Sequence, residues 1–250
     1  MSTERFVTGH MPLIFSNLHA LIFGGVLLVY NTPRIIRRPY GVERKARPNH
    51  RLYLLFFYIG MAIVLVGSYQ MPVGVIVLSG FIGAFAFAYF LPLLPFREKK
   101  RLRDYGWAKI IVLAGVWTVS TSILPMLYHG KDILDYPIEI LVRLVFIFTL
   151  CVVFDLRDVQ SDRRNNIDTL PQKMGILNSY RLIDLALLVF VFLSVLQYMR
   201  YPSPARLAGA FVTAVITKIV VGYLREHPSE RAYSALADGV MIVYAVSVMI

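Results

Sequence analysis

Residues 138–175 read IEILVRLVFIFTLCVVFDLRDVQSDRRNNIDTLPQKMG. From Ile138 to Phe154 the only charges are Glu139 and Arg143, and the rest is aliphatic, aromatic or small. As a helix rising 1.5 Å per residue, such a run reaches most of the way across about 30 Å of hydrocarbon. At Asp155 the chain turns abruptly polar, with ten Asp, Arg, Asn or Lys side chains before Gly175. Inside lipid every backbone N–H and C=O must find its partner within the protein, so the apolar run is a helix. Its far end emerges at the membrane surface carrying a cluster of acids and bases.

The same pattern repeats along the chain. Apolar runs fall at about 12–30, 52–68, 72–95, 107–128, 138–154, 181–199, 206–224 and 232–250. Composition agrees: 57% of the 250 residues are hydrophobic, 16% are charged and the mean hydropathy is +0.62, outside the soluble range. The expected fold is all-α, a polytopic transmembrane helix bundle of about eight spans forming one domain over residues 1–250. A transmembrane barrel would show alternating strands of about ten residues, and the sequence has none. The one cysteine, Cys151, lies inside an apolar run, allows no intramolecular disulfide and reads as a small core residue. The first ten residues, MSTERFVTGH, lack the charged start and small-residue cleavage site of a secretory signal.

Eight spans leave seven connections, and the basic residues are divided unevenly among them. Arg34, Arg37, Arg38, Arg44, Lys45, Arg47 and Arg51 crowd the first. Arg97, Lys99, Lys100, Arg101, Arg103 and Lys109 crowd the third. Arg157, Arg163, Arg164, Lys173 and Arg181 occupy the fifth, and Arg225 and Arg231 the seventh. Together these are 20 of the 26 Lys and Arg. Odd connections rich in Lys and Arg, alternating with poor ones, are the pattern of cytoplasmic and external loops. The expectation is a plasma (inner) membrane protein with both termini outside and its chemistry facing the cytoplasm. The net charge of +11 is explained by these short connections and by anionic lipid headgroups. No nucleic-acid module accompanies it, so nucleic acid is not an expected partner.

Asp155, Asp158 and Asp162 are spaced D-x-x-D-x-x-x-D. At 100° per residue they fall within an arc of about 60° on a helix. Three carboxylates on one face repel one another unless a cation joins them, and several oxygens with retained water suit Mg²⁺. The plainer alternative is that they are solvated surface acids pairing with Arg157, Arg163 and Arg164.

This stretch resembles the second aspartate-rich motif of the UbiA-type intramembrane prenyltransferases. There, D-x-x-D-x-x-x-D precedes a basic turn containing Gly or Asn and a Thr-Leu-Pro segment. Here Arg163–Arg164–Asn165–Asn166 and then Thr169–Leu170–Pro171 and Gly175 follow the aspartates. Tyr89-Phe-Leu-Pro92-Leu-Leu-Pro95, leading to Lys99–Lys100–Arg101, is similar to the family's tyrosine-proline segment and basic loop. The resemblance covers most of the chain after about residue 25. It implies that Asp155, Asp158 and Asp162 bind Mg²⁺, with Asp155 and Asp158 catalytic. It also implies that Asn31, Lys99, Lys100, Arg164 and Lys173 face the diphosphate of an isoprenoid donor. The partners implied are that isoprenoid diphosphate, a lipophilic acceptor and membrane lipid.

The chain departs from the family at the first motif, which resembles N-D-x-x-D-x-x-x-D at the end of the first span. This sequence has Asn31-Thr-Pro-Arg34-Ile-Ile-Arg37-Arg38-Pro-Tyr40. Only Asn31 matches; each carboxylate position is lost, and three arginines lie in the segment. Those arginines either contact the diphosphate through charge-assisted hydrogen bonds or simply anchor the helix end. Family members also have nine spans and a cytoplasmic N-terminus. Eight spans with an outer N-terminus agree with that if the first family helix lies upstream of this start or is missing.

Other polar residues in the spans read more simply. Glu139 and Arg143, four apart, pair with each other. His19 is a packed, hydrogen-bonded residue, and Lys218 snorkels or lines a headgroup cavity along with Asp238. Trp107 anchors an interface, and Gly80, Gly83, Ala84, Ala86 and Ala88 permit close helix packing. The expected function is transfer of a prenyl group to a lipophilic acceptor. The alternative is a non-catalytic relative on the same fold that binds isoprenoid lipid or partner helices. A transporter would show interrupted half-helices in matching halves, and a CDP-alcohol phosphotransferase would continue differently after Asp238–Gly239.

Overall fold

The computed structural model describes residues 2–10, 15–36, 50–91, 106–164, 167 and 169–249. Among these residues all regular structure is helical, with no strand. A short α1 (Ser2–Thr8) precedes α2 (Asn17–Ile35), α3 (His50–Gly67) and α4 (Val73–Phe90). Next come α5 (Gly106–Thr118) and α6 (Leu124–Tyr128), joined by a π-helical turn, Val119–Ile123, into one rod. That turn lies just before Pro125, whose missing N–H interrupts the ordinary ladder. The remaining elements are α7 (Pro137–Arg164), α8 (Leu170–Met174), α9 (Ile176–Arg200), α10 (Pro204–Glu226) and α11 (Glu230–Met249).

Seven of these rods are long and apolar enough to cross a membrane: α2, α3, α4, Gly106–Tyr128, Pro137–Gln160 within α7, α9 and α10. The 20-residue α11 coincides with the eighth expected span. The chain is therefore an integral membrane protein of about eight helices, as its hydropathy predicts.

Several boundaries differ from expectation: α2 runs over Asn17–Ile35 rather than 12–30, and two further differences have a clear physical reason. α7 continues ten residues past Phe154 to Arg164. Hydropathy marks where the helix leaves apolar surroundings, not where its hydrogen-bond ladder stops, and no Gly or Pro lies between Asp155 and Arg164. α9 begins at Ile176 rather than Arg181, because Gly175, at φ +85°, turns the chain directly into it.

The chain forms two compact units, Leu13–Leu102 and Met1–Pro12 with Arg103–Ile250. In the first, α2 and α3 pack backbone to backbone. A Cβ added to Gly24 would stand 2.9 Å from the Gly60 carbonyl oxygen, and one on Gly67 would stand 2.7 Å from the Leu21 nitrogen. Glycine is what lets these helices meet. Among the described residues, the close packing expected at Gly80 and Gly83 is not seen, since an added Cβ there meets nothing within 4 Å. His19 takes the structural role expected of it. Its Nδ1 lies 2.8 Å from Ser16 Oγ, and the pair forms the capping box that starts α2.

The second unit is organised around α7, which packs against α5, α8, α9 and α11. Towards its start, Val142, Phe146 and Leu150 pack with Phe190, Val240 and Tyr244. Further along, Ile147, Val152 and Val153 pack with Ile110, Ile183 and Leu224. The charged residues near the start of α7 are paired and buried, as the four-residue spacing predicts. Arg143 donates to Glu139 at 3.1 Å and to Thr3 of α1 at 3.0 Å. Gln197 donates to the other Glu139 oxygen at 2.7 Å. This network ties α1 and α9 to α7. It lies about 24 Å along the helix from Asp155, at 1.5 Å per residue.

Candidate active site

Asp155, Asp158 and Asp162 do share one face of α7, and a cation does lie among them. That cation is the ammonium of Lys109, three residues into α5. Lys109 Nζ lies 2.9 Å from Asp155 Oδ1, 3.0 Å from Asp162 Oδ2 and 3.6 Å from Asp158 Oδ2. An ammonium carries three hydrogen-bond donors and no acceptor, so three carboxylates can surround it.

Burial makes this arrangement more than a surface ion pair. Lys109 is 7% exposed, Asp155 1% and Asp162 3%. Asp155 is not the solvated acid of the plainer alternative. A lone buried carboxylate would be costly, and so would a lone ammonium, so each requires the other. Asp158 differs. Its side chain is 30% exposed, and it also receives a two-point contact from Arg157, through Nε at 2.7 Å and Nη2 at 3.1 Å. The guanidinium of Arg157 in turn lies over the Phe154 ring, 5.0 Å from its centroid.

The chain beyond α7 folds back on it. The backbone N–H of Ile167 donates to the Asp162 carbonyl at 3.0 Å. Pro171, buried in the first turn of α8, suits a position where no N–H is needed. The Gln172 amide reaches back to the Val159 carbonyl at 3.4 Å. The Thr-Leu-Pro segment thus closes the polar end of α7. Arg164, in the last turn of α7, and Lys173, in the last turn of α8, are exposed beside this closure.

The other expected site residues belong to the other unit or fall outside the described residues. Asn31 belongs to the Leu13–Leu102 unit, where it is buried and its side chain donates to the Leu27 carbonyl at 2.8 Å. Arg34 stacks over Tyr53, 5.2 Å from the ring centroid. Lys99, Lys100, Arg37 and Arg38 lie outside the described residues. Lys109 is the residue that sequence reasoning missed, having been counted with the third connection's topological charges. A lysine followed directly by Ile110-Ile111-Val112 inside an apolar helix was the signal that could have found it.

The carboxylates bear directly on whether a divalent ion fits. Among the described residues, no group of three or more His, Cys, Asp or Glu side chains is arranged to hold a metal ion. The point shared by the three aspartates is taken by Lys109, and a second cation there would face an ammonium at contact distance. The residues as arranged do not fit a divalent ion. Asp155 Oδ2 is nevertheless buried with no hydrogen-bond partner among the described residues.

The UbiA prenyltransferase family matches residues 32–242. The solved apo structure of a UbiA homologue from Aeropyrum pernix K1 is 15% identical, covering 98% of this chain and 93% of that one, with a TM-score of 0.66. A UbiA homologue from Archaeoglobus fulgidus bound to Cd²⁺ is 9% identical, covering 94% and 100%, with a TM-score of 0.57. A structure described for digeranylgeranylglyceryl phosphate synthase in membranes is 16% identical, covering 93% and 83%, with a TM-score of 0.57. At these identities the three share the fold. None of the curated proteins matches the sequence.

Proposed function

The chain belongs to the UbiA prenyltransferase family, and on that premise we propose that it moves a prenyl group from an isoprenoid diphosphate to a lipophilic acceptor within the membrane. The observation that carries this reading is the family match over residues 32–242. In the reaction, the bond between the allylic carbon and the diphosphate oxygen breaks, and its electron pair leaves with the diphosphate. The acceptor forms the new bond to that carbon and gives up a proton.

Such a departure requires positive charge around the leaving group and exclusion of water from the allylic cation. The exposed Arg164 and Lys173 beside the aspartate cluster are suited to the diphosphate, as are Lys99 and Lys100 of the preceding basic connection. Asn31 is the one match to the first motif. Asp155, Asp158 and Asp162 hold the polar end of the site together, and the apolar core of α5, α7, α9 and α10 beneath them keeps it dry. The distribution of Lys and Arg supports a site facing the cytoplasm of a plasma (inner) membrane, with both termini outside.

Enzymes of this family generally use divalent metal ions, and the Archaeoglobus fulgidus homologue is described as bound to Cd²⁺. The expected Mg²⁺ does not fit the aspartates while Lys109 stands among them, so this reading places the charge of the site on protein cations. A non-catalytic relative that binds isoprenoid lipid is the second reading. It is favoured by the loss of every carboxylate between Asn31 and Tyr40.

The test is release of diphosphate from geranylgeranyl and longer prenyl diphosphates by purified protein with native lipid extract. The reading predicts release that disappears in Asp155→Asn. Binding of the prenyl diphosphate without release would favour the second reading.

A further inference from the structure

We propose that Lys109 is the resident cation of the aspartate motif: its buried ammonium fills the place of a divalent ion and keeps metal out. This deepens the reading above, which supplies the reason for a cation at that place, but it rests on the chain's own geometry.

Three observations converge. The ammonium lies within 3.0 Å of two buried carboxylates, at hydrogen-bond distance, and forms a longer ion pair at 3.6 Å with a third. Lys109 reaches them from α5 and is as enclosed as the core around it, so the ion pair is not a chance surface encounter. The segment Asn31–Tyr40 carries Arg34, Arg37 and Arg38 and no carboxylate.

The charge balance decides what the site can take. Among the described residues, three carboxylates with Lys109 and Arg157 leave a net charge of about −1, against −3 for the carboxylates alone. A divalent ion gains much less from the first arrangement than from the second, and it must also approach an ammonium. Removing the ammonium while keeping its volume exposes the Asp155 and Asp162 oxygens together with Asp155 Oδ2, which is already buried and unpartnered. Oxygen ligands of this kind suit Mg²⁺ and its probe Mn²⁺.

The experiment is a Mn²⁺ titration of the full chain in lipid nanodiscs, read by the electron paramagnetic resonance signal of free Mn²⁺ with no prenyl diphosphate present. Wild type is expected to show no site that depends on Asp155. Lys109→Met is expected to gain one Mn²⁺ site, at least about tenfold tighter than any residual binding by wild type. The site is expected to vanish in Lys109→Met with Asp155→Asn. Lys109→Gln, of similar length, carries the same expectation should the methionine variant not assemble. Wild-type Mn²⁺ binding that Asp155→Asn abolishes would overturn the proposal, as would a folded Lys109→Met or Lys109→Gln protein that gains no site. Because no isoprenoid enters the assay, failure of the prenyltransferase reading would leave this result untouched, and the reverse also holds.

Discussion

Lys109 Nζ and Asp155 Oδ1 lie 2.9 Å apart, joining a helix that begins at Gly106 to the polar end of a helix that begins at Pro137. Both residues are almost wholly buried. This pair closes the face of α7 on which Asp155, Asp158 and Asp162 lie.

Removing one partner of a buried pair leaves the other charge uncompensated. Lys109→Ala is expected to lower stability by about 3–5 kcal/mol. Adding Asp155→Asn is expected to recover part of that loss, because one stranded carboxylate is then neutral. A double-mutant cycle on thermal unfolding in detergent checks this. Additive losses would show that the two residues do not act as a pair.

Asp158 and Asp155 are expected to behave differently despite belonging to one motif. Asp158 is part-exposed and shares its charge with Arg157, so Asp158→Asn is expected to change stability by about 0–1 kcal/mol. Asp155→Asn is expected to cost more, since it weakens a buried contact to Lys109. Parallel unfolding curves of the two variants measure the difference.

Much of this was legible in the sequence. The spans are local features: an apolar run of some twenty residues has few ways to satisfy its backbone in lipid. The convergence of Asp155, Asp158 and Asp162 was legible too, because helical spacing alone sets their common face. The partner was not. Lys109 lies 53 residues from Asp162, and no periodicity within α5 indicates which face of α7 it meets. Its position beside Arg101 and Arg103 made it resemble one more topological charge. The end of α7 was missed because hydropathy reports the lipid boundary, while the ladder runs on through DLRDVQSDRR. The small α1 was missed because Thr3 and Glu4 are buried by long-range partners, Glu139 and Arg143 among them.

The glycine contacts separate packing from mere composition. Gly67→Ala is expected to cost about 1–3 kcal/mol by forcing α2 and α3 apart. Gly80→Ala, where an added Cβ meets nothing within 4 Å among the described residues, is expected to stay within about 0.5 kcal/mol of wild type. Unfolding of both variants in the same detergent compares them directly.

The Glu139 network is expected to be structural only. Glu139→Ala removes the acceptor of both Arg143 and Gln197 and is expected to cost about 3–5 kcal/mol by taking a carboxylate away from a buried guanidinium. The fraction that remains folded is expected to bind prenyl diphosphate like wild type. Equilibrium binding of a non-hydrolysable thiodiphosphate analogue to the monodisperse fraction measures this.

The most direct measurement is transfer of radiolabel from geranylgeranyl diphosphate into extractable lipid by the purified protein in nanodiscs containing native lipid extract. Wild type, Asp155→Asn and Arg164→Ala with Lys173→Ala would be compared in the presence of EDTA and then of Mg²⁺. The account predicts transfer by wild type that survives EDTA, disappears in Asp155→Asn and falls at least about tenfold, roughly 1.4 kcal/mol of barrier, in the double variant. No transfer under either condition, or transfer equally strong in Asp155→Asn, would contradict it.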